Sequence, residues 1–307
     1  MPNLLSGLLV PGLAITILLI AVGTITLAKR QLPWWRKRRS PFTSQFLRGP
    51  GQSVLDQLDK LRTDGMGYLG GLIYITLAFL AIPFVESAFT EKPLNHNELM
   101  ISAVIGISCC AYLLAKLYRS VQKAQKVRLG YEGEVAVGQE LNQLMYQGFH
   151  VFHDFPADGF NIDHVVVGRT GVFAVETKAR GKSNSGNKKR DAQVEFTGTT
   201  LKFPDWTEYK PLEQARSQAR WLSHWLESAV GEPIPVTAVL AIPGWFVSQT
   251  GKSDVLTYYG KRPDVVFPKY RGKPFPDPMI KRVCHQLEAK CRDITPRAYV
   301  EENRKFD

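Results

Sequence analysis

An aspartate, a glutamate and a lysine stand where hydrophobic strands are expected in the stretch NIDHVVVGRTGVFAVETKARG, residues 161 to 181: Asp163, Glu176 and Lys178. Hydrophobic segments on either side of GRTG predict a hairpin. A two- or four-residue loop opposes Val167 to Val172, Val165 to Ala174 and Asp163 to Glu176, whereas a three-residue loop breaks that parity. Side chains alternate along a strand, so Lys178 shares the face of Glu176. Carboxylates opposed at about 5 Å repel, and a fold that keeps them needs a cation. Lys178 is one. A hard divalent ion such as Mg2+, which takes one or two carboxylates with carbonyls and water, suits the pair better. A lysine beside it could orient or deprotonate water there and stabilise charge developing on a phosphate. The plainer alternative is a surface hairpin end with a fortuitous ion pair.

Two residues elsewhere bear on that choice. Glu134 lies on the stripe of its predicted helix that carries Val137, Gly138 and Leu141, and a carboxylate on a buried face needs a partner. Gln214, one turn into KPLEQARSQARWLSHWLESAV, shares a face with Gln218, Trp221 and Trp225; standing alone it reads as a helix-surface amide. The segment from Lys178 to Arg190 holds six Lys and Arg and no acid, which makes Lys182, Lys188, Lys189 and Arg190 candidates for phosphate contact, with a solvated linker as the alternative. His150, His153 and His164 with Asp154 make a poor transition-metal set, because His150 and His153 fall on opposite faces of a strand. His164 points away from Asp163 and reads as a core or supporting residue. Trp206, Trp221, Trp225 and Trp245 could stack on bases, but the helical spacing of Trp221 and Trp225 favours core packing.

The elements that would position these residues run in the order α β β β, a short hairpin, α, β. GYEGEVAVGQELNQLMYQGF reads as a helix and HVFHDF as a strand. The hairpin 161 to 179 follows, then AQVEFTG with TTLKFP as a second hairpin, and a helix started by Pro211. PVTAVLAIPG is a strand apolar on both faces. DVVFPK suggests a strand and PMIKRVCHQLEAKCRDI a closing helix, whose Cys284 and Cys291 share a face with Ile280, Val283 and Leu287 and read as core thiols. This order predicts an α/β sandwich on a mixed sheet.

The N-terminal part is of another kind. Leu4 to Ala28 lack any charged side chain, long enough to cross a ~30 Å hydrocarbon core; the run ends in AKRQLPWWRKRR, unlike a signal-peptide cleavage site. Tyr68 to Phe89 and Leu99 to Tyr118 read as second and third spans, the alternative being a buried helical hairpin. Net charge is +11, but the residues up to Arg128 carry 15 Lys and Arg against 6 Asp and Glu, and the remainder 24 against 22. The basic excess therefore flanks the spans. Nine Lys and Arg in 29–67 and five in 116–128, against one in 90–98, place the N-terminus outside and the C-terminal domain in the cytoplasm of a bacterial-type inner membrane. Before the second span, SVLDQLDKLRTDG predicts an amphipathic helix with Ser53 as its cap, placed either on the inner membrane surface or against the soluble domain. The spans hold no charge at mid-membrane of the kind an ion path requires.

The ordered set GYEGE, NIDHVVVGRTGVFAVETKARG and PLEQA resembles the nuclease-related, or NERD, domain of the PD-(D/E)XK nuclease superfamily, over roughly residues 129 to 244. The resemblance implies a restriction-endonuclease-like α/β/α core with a mixed sheet, and metal-dependent hydrolysis of a phosphodiester in DNA or RNA. By position Glu134 resembles the first-helix glutamate, Asp163 the metal-binding aspartate, Glu176 and Lys178 the E-x-K pair, and Gln214 the helix glutamine. Asp163 and Glu176 would hold Mg2+ or Mn2+. Lys210 departs from the asparagine common before the proline. A non-catalytic module that tethers nucleic acid or another partner to the membrane is the competing reading. The expected organisation is a transmembrane helix in 1–30, a basic cytoplasmic juxtamembrane segment in 31–67, transmembrane helices 2 and 3 in 68–119, the NERD nuclease-like domain in 120–250, and a C-terminal extension packing on it in 251–307.

Overall fold

The structure is a computed structural model and describes residues 40–90, 95–184, 186, 190–272 and 274–296. The expected first span, 4–28, and the candidates Lys188 and Lys189 lie outside the described residues. In chain order the elements are β1 (Phe46–Leu47), α1 (Gln52–Thr90), α2 (His96–Asn142), β2 (His150–Pro156), β3 (Asn161–Gly168), β4 (Gly171–Thr177), β5 (Gln193–Phe196), β6 (Leu201–Lys202), β7 (Thr207–Glu208), α3 (Lys210–Val230), β8 (Val236–Ala241), β9 (Phe246–Gln249), β10 (Leu256–Tyr258), α4 (Asp277–Cys291) and β11 (Arg292–Ile294). Two compact units result: one contains 59–124, the other Phe42–Leu58 with Gln125–Pro296.

In the first unit, α1 and α2 each carry a stretch long and apolar enough to cross a membrane. Their large side chains point outward: Ile73, Tyr74, Leu80 and Ile107 are exposed. Gly106 lets the two helices meet, since a Cβ there would stand 3.0 Å from the Phe79 ring.

The second unit is built on a five-stranded sheet in the order β10-β8-β4-β3-β2. β2, β3 and β4 pair antiparallel, while β4, β8 and β10 run parallel, so the sheet is mixed. A βα crossover through α3 links β4 to β8, as parallel neighbours require. Both sheet faces are covered, which explains why β3 and β4 read as unbroken apolar runs. On one face Val165, Val167, Val172 and Ala174 pack with Leu212, Ala215, Leu222 and Leu226 of α3 and Ile280, Val283 and Leu287 of α4. On the other, Val166, Phe173 and Val175 pack with Val137 and Leu141 of α2 and Phe267. These are three layers, α/β/α, around a mixed sheet. A second sheet, β7-β6-β5-β9, contains the expected short hairpin as β5 and β6.

Some expectations need correction. Residues 251–296 are part of the core: β10 is a strand of the main sheet, and α4 covers one of its faces. DVVFPK is not a strand; Pro263–Val265 form a 3-10 turn whose proline withholds a backbone donor, and the edge strand is Leu256–Tyr258. Of the two placements open to SVLDQLDKLRTDG, its first part takes the second: Phe42–Leu58 belongs to the α/β unit, and Leu58 is buried there. Ser53 donates its hydroxyl to Asp154 instead of capping its own helix.

Candidate functional site

GRTG forms a two-residue turn, with Gly168 paired to Gly171 and the register running on through Val165–Ala174 to His164–Val175. The paired residues end there; the same register continued one step opposes Asp163 to Glu176. Asp163 Oδ2 accepts the Thr177 amide at 2.6 Å, which anchors the end of the hairpin. Glu176 is buried at 1% exposure. Lys178 pairs with its Oε1, and Gln218 Nε2 donates to its Oε2 at 2.5 Å. The chain continues beyond β4 along β8 through the Lys178 amide, which donates to the Ala241 carbonyl at 2.8 Å.

Glu134 arrives from the opposite layer. α2 comes close at Gly133, where a Cβ would stand 2.6 Å from the Ala179 Cβ. Glu134 is buried at 8% exposure and accepts no hydrogen bond from any described residue. Burial first, then Asp154 and Glu176, push its carboxyl up to about 8, against the pull of Lys178. Asp163 is held well above the usual carboxylate range by burial, by Glu176 and by Glu134, with the Thr177 amide and Lys178 opposing. The three carboxyl groups therefore share one electrostatic neighbourhood with Lys178, the arrangement in which like charges compete for a proton or a cation.

Gln214 stands apart. It is exposed, whereas Gln218, one turn later, is buried at 2% exposure and makes the contact to Glu176. The turn's advance along α3 carries Gln218 over the carboxylate, and Pro211 and Leu212 seat the first turn in the core, leaving Gln214 facing out. The apolar neighbours Ala215, Ala219 and Leu222 were the legible signal for the deeper position. Of the basic candidates, Lys182 is exposed and lies over the Trp245 ring, 5.8 Å from its centroid, and Arg190 is exposed beyond it. Trp245 is itself buried and donates its indole N–H to the Arg180 carbonyl at 3.1 Å. Trp221 and Trp225 pack on Phe155 and Phe160.

Asp154 and the histidines, set aside as a poor metal set, take other roles, and His164 lies in the core as its alternation indicated. Asp154, within β2, is buried at 1% exposure and accepts from Arg48, Ser53 and Asn161. His153 and His164 are cross-strand partners, with their Nδ1 atoms 2.9 Å apart and His153 Nε2 3.0 Å from Asn142 Oδ1. Burial lowers His153 to about 4 and His164 well below its usual range, so both rings are neutral at pH 7. They form a core pair on the sheet face away from Asp163.

Among the described residues no three His, Cys, Asp or Glu side chains converge at metal-ligating spacing. The available donors are oxygens: one free oxygen on Asp163, Glu176 if Lys178 releases it, and Gln218 Oε1, which is buried without a partner among the described residues. An all-oxygen set with two carboxylates fits a hard divalent cation and does not fit a soft one.

Residues 129–243, a little over a third of the chain, match the family model of the nuclease-related domain. Asp163, Glu176, Lys178, Glu134 and Gln218 all lie within that stretch, and the mixed α/β core it folds into is consistent with a nuclease-like domain. No curated protein and no solved structure matches the chain.

Proposed function

We propose that this chain is a membrane-anchored, metal-dependent nuclease of the PD-(D/E)XK kind, with its catalytic domain facing the cytoplasm. The observation that carries the reading is the crowding of Asp163, Glu176 and Glu134 around Lys178 at the end of the central hairpin, within the nuclease-related match. Asp163 and Glu176 would hold Mg2+ or Mn2+. Such a cation supplies charge that polarises a phosphodiester oxygen and makes nearby water more acidic. Lys178, freed from Glu176, is placed to orient that water and to meet charge developing on the phosphate. Gln218 fixes the Glu176 carboxylate, and Glu134 keeps a proton on its own carboxyl near neutral pH, which limits the repulsion in the cluster. Lys182 and Arg190 would meet the nucleic-acid backbone. Anchoring is supported by α1 and α2, and the inward orientation by the basic flanks.

The occupancy of both Glu176 oxygens, by Lys178 and by Gln218, favours a second reading: a non-catalytic module that holds nucleic acid or another partner at the membrane. The full chain in detergent separates the two. Hydrolysis predicts cleavage of DNA or RNA with Mg2+ or Mn2+ that drops by roughly a hundredfold or more in Glu176→Ala and Lys178→Ala. Salt-dependent binding that survives both substitutions, with no cleavage under either metal, establishes the second reading instead.

A further inference from the structure

The loop Arg48 to Ser53 leads into α1, lies outside the matched stretch, and sits on the candidate site. Gly51 has a φ of +69°, and a Cβ there would stand 2.9 Å from the Tyr131 ring and 3.6 Å from Glu134 Oε2. Pro50 presses on α2 at Gly138, 2.7 Å from where a Cβ would be. Asp154 pins this loop: it accepts from Arg48 Nη1 at 2.8 Å, from the Ser53 amide at 3.0 Å and from Ser53 Oγ at 2.5 Å. Its own backbone is left-handed, φ 48°, a conformation a non-glycine residue keeps only when its surroundings impose it. Arg48 also grips Asp293 with two bonds, of 2.8 and 2.7 Å. On its other side, Asp154 Oδ1 accepts from Asn161 Nδ2 at 3.2 Å. The Asn161 carbonyl accepts from Gln218 Nε2 at 3.3 Å, and the same nitrogen donates to Glu176 at 2.5 Å.

We propose that Asp154 is a positioning residue: it holds the loop 48–53 as a fixed cover over Glu134 and, through Asn161 and Gln218, sets the orientation of Glu176. The segment that precedes the apolar helices is thereby a working part of the site. The effect on catalysis rests on the hydrolytic reading above; the cover does not.

The test uses the full chain in detergent. Glu134→Cys serves as a reporter, labelled with a maleimide and read by mass spectrometry at that position. Adding Asp154→Ala is expected to raise the labelling rate at 134 by at least about tenfold, as for a protected site opened locally. Arg48→Gln, which leaves the Ser53–Asp154 bonds in place, is the gentler background and should raise it severalfold. Equal rates in all three chains overturn the cover. In the otherwise native chain, Asp154→Ala should lower kcat about tenfold with KM within about twofold, and Asp154→Asn, which retains an acceptor for Ser53, should recover part of the loss. An unchanged kcat overturns the positioning role. A native chain that cuts nothing sinks the hydrolytic reading, while the labelling rates still judge the cover.

Discussion

Replacing Glu134 by glutamine tests the electrostatics of the site without any substrate. Glu134 is buried, accepts no hydrogen bond from a described residue, and keeps its proton up to about 8, against an ordinary value of 4.5. Between those limits the native chain holds a proton that the unfolded chain has released. The stability tied to this group is therefore complete below about 4.5, declines as pH rises, and levels off above about 8. At about 1.4 kcal/mol per pH unit, the upper bound of the decline is roughly 5 kcal/mol. Glutamine has nearly the same shape and no charge at any pH. In Glu134→Gln the gain in Tm over the native chain should thus grow from near zero at acid pH to its maximum near pH 8. With about 2–4 °C per kcal/mol for a unit of this size, the maximum lies at roughly 10–20 °C. Thermal unfolding of the full chain in detergent, without divalent cation, followed by tryptophan fluorescence at several pH values, reads it directly. Parallel pH dependences for the two chains would refute the reasoning, because they would mean that Glu134 is already ionised and solvated in the native state.

Two further outcomes follow from named contacts. Gln218→Leu removes the donor to Glu176 and should cost about 1–3 kcal/mol of stability, together with most cleavage, whereas Gln214→Ala, at an exposed position, should stay within about 0.5 kcal/mol; denaturant unfolding and cleavage assays of both should rank them in that order. The neutral His153–His164 pair has the opposite pH sign to Glu134: its stability is present above about 6.5 and is lost as pH falls toward about 4, on the order of 3 kcal/mol from His153 alone, so Tm should fall through that window and a flat profile would exclude the buried pair.

The hairpin was readable because its charges broke an apolar run whose register an even turn fixes; parity alone brought Asp163, Glu176 and Lys178 to one face. The α/β order was readable for the same reason, since strands covered on both faces leave long apolar runs. Gln214 against Gln218 was not, because residues one turn apart share a stripe, and only the depth of packing against Ala215 and Leu222 decides which one reaches the sheet. The placement of the segment before the second span stayed open for a different reason: Arg48 and Ser53 look like membrane-flanking polar residues until Asp154 and Asp293, distant in sequence, show what they bind. A contact of that separation leaves no local pattern.

The clamp of Arg48 on Asp293 spans 245 residues. A ribosome adding about 5–20 residues per second therefore finishes Asp293 roughly 12–50 s after Arg48 has been made. During that interval both apolar helices and the whole five-stranded sheet are synthesised, while the loop over Glu134 waits for its outer fastening. The outer fastening is made at β11, so the site is completed only after Arg292–Ile294 have left the ribosome.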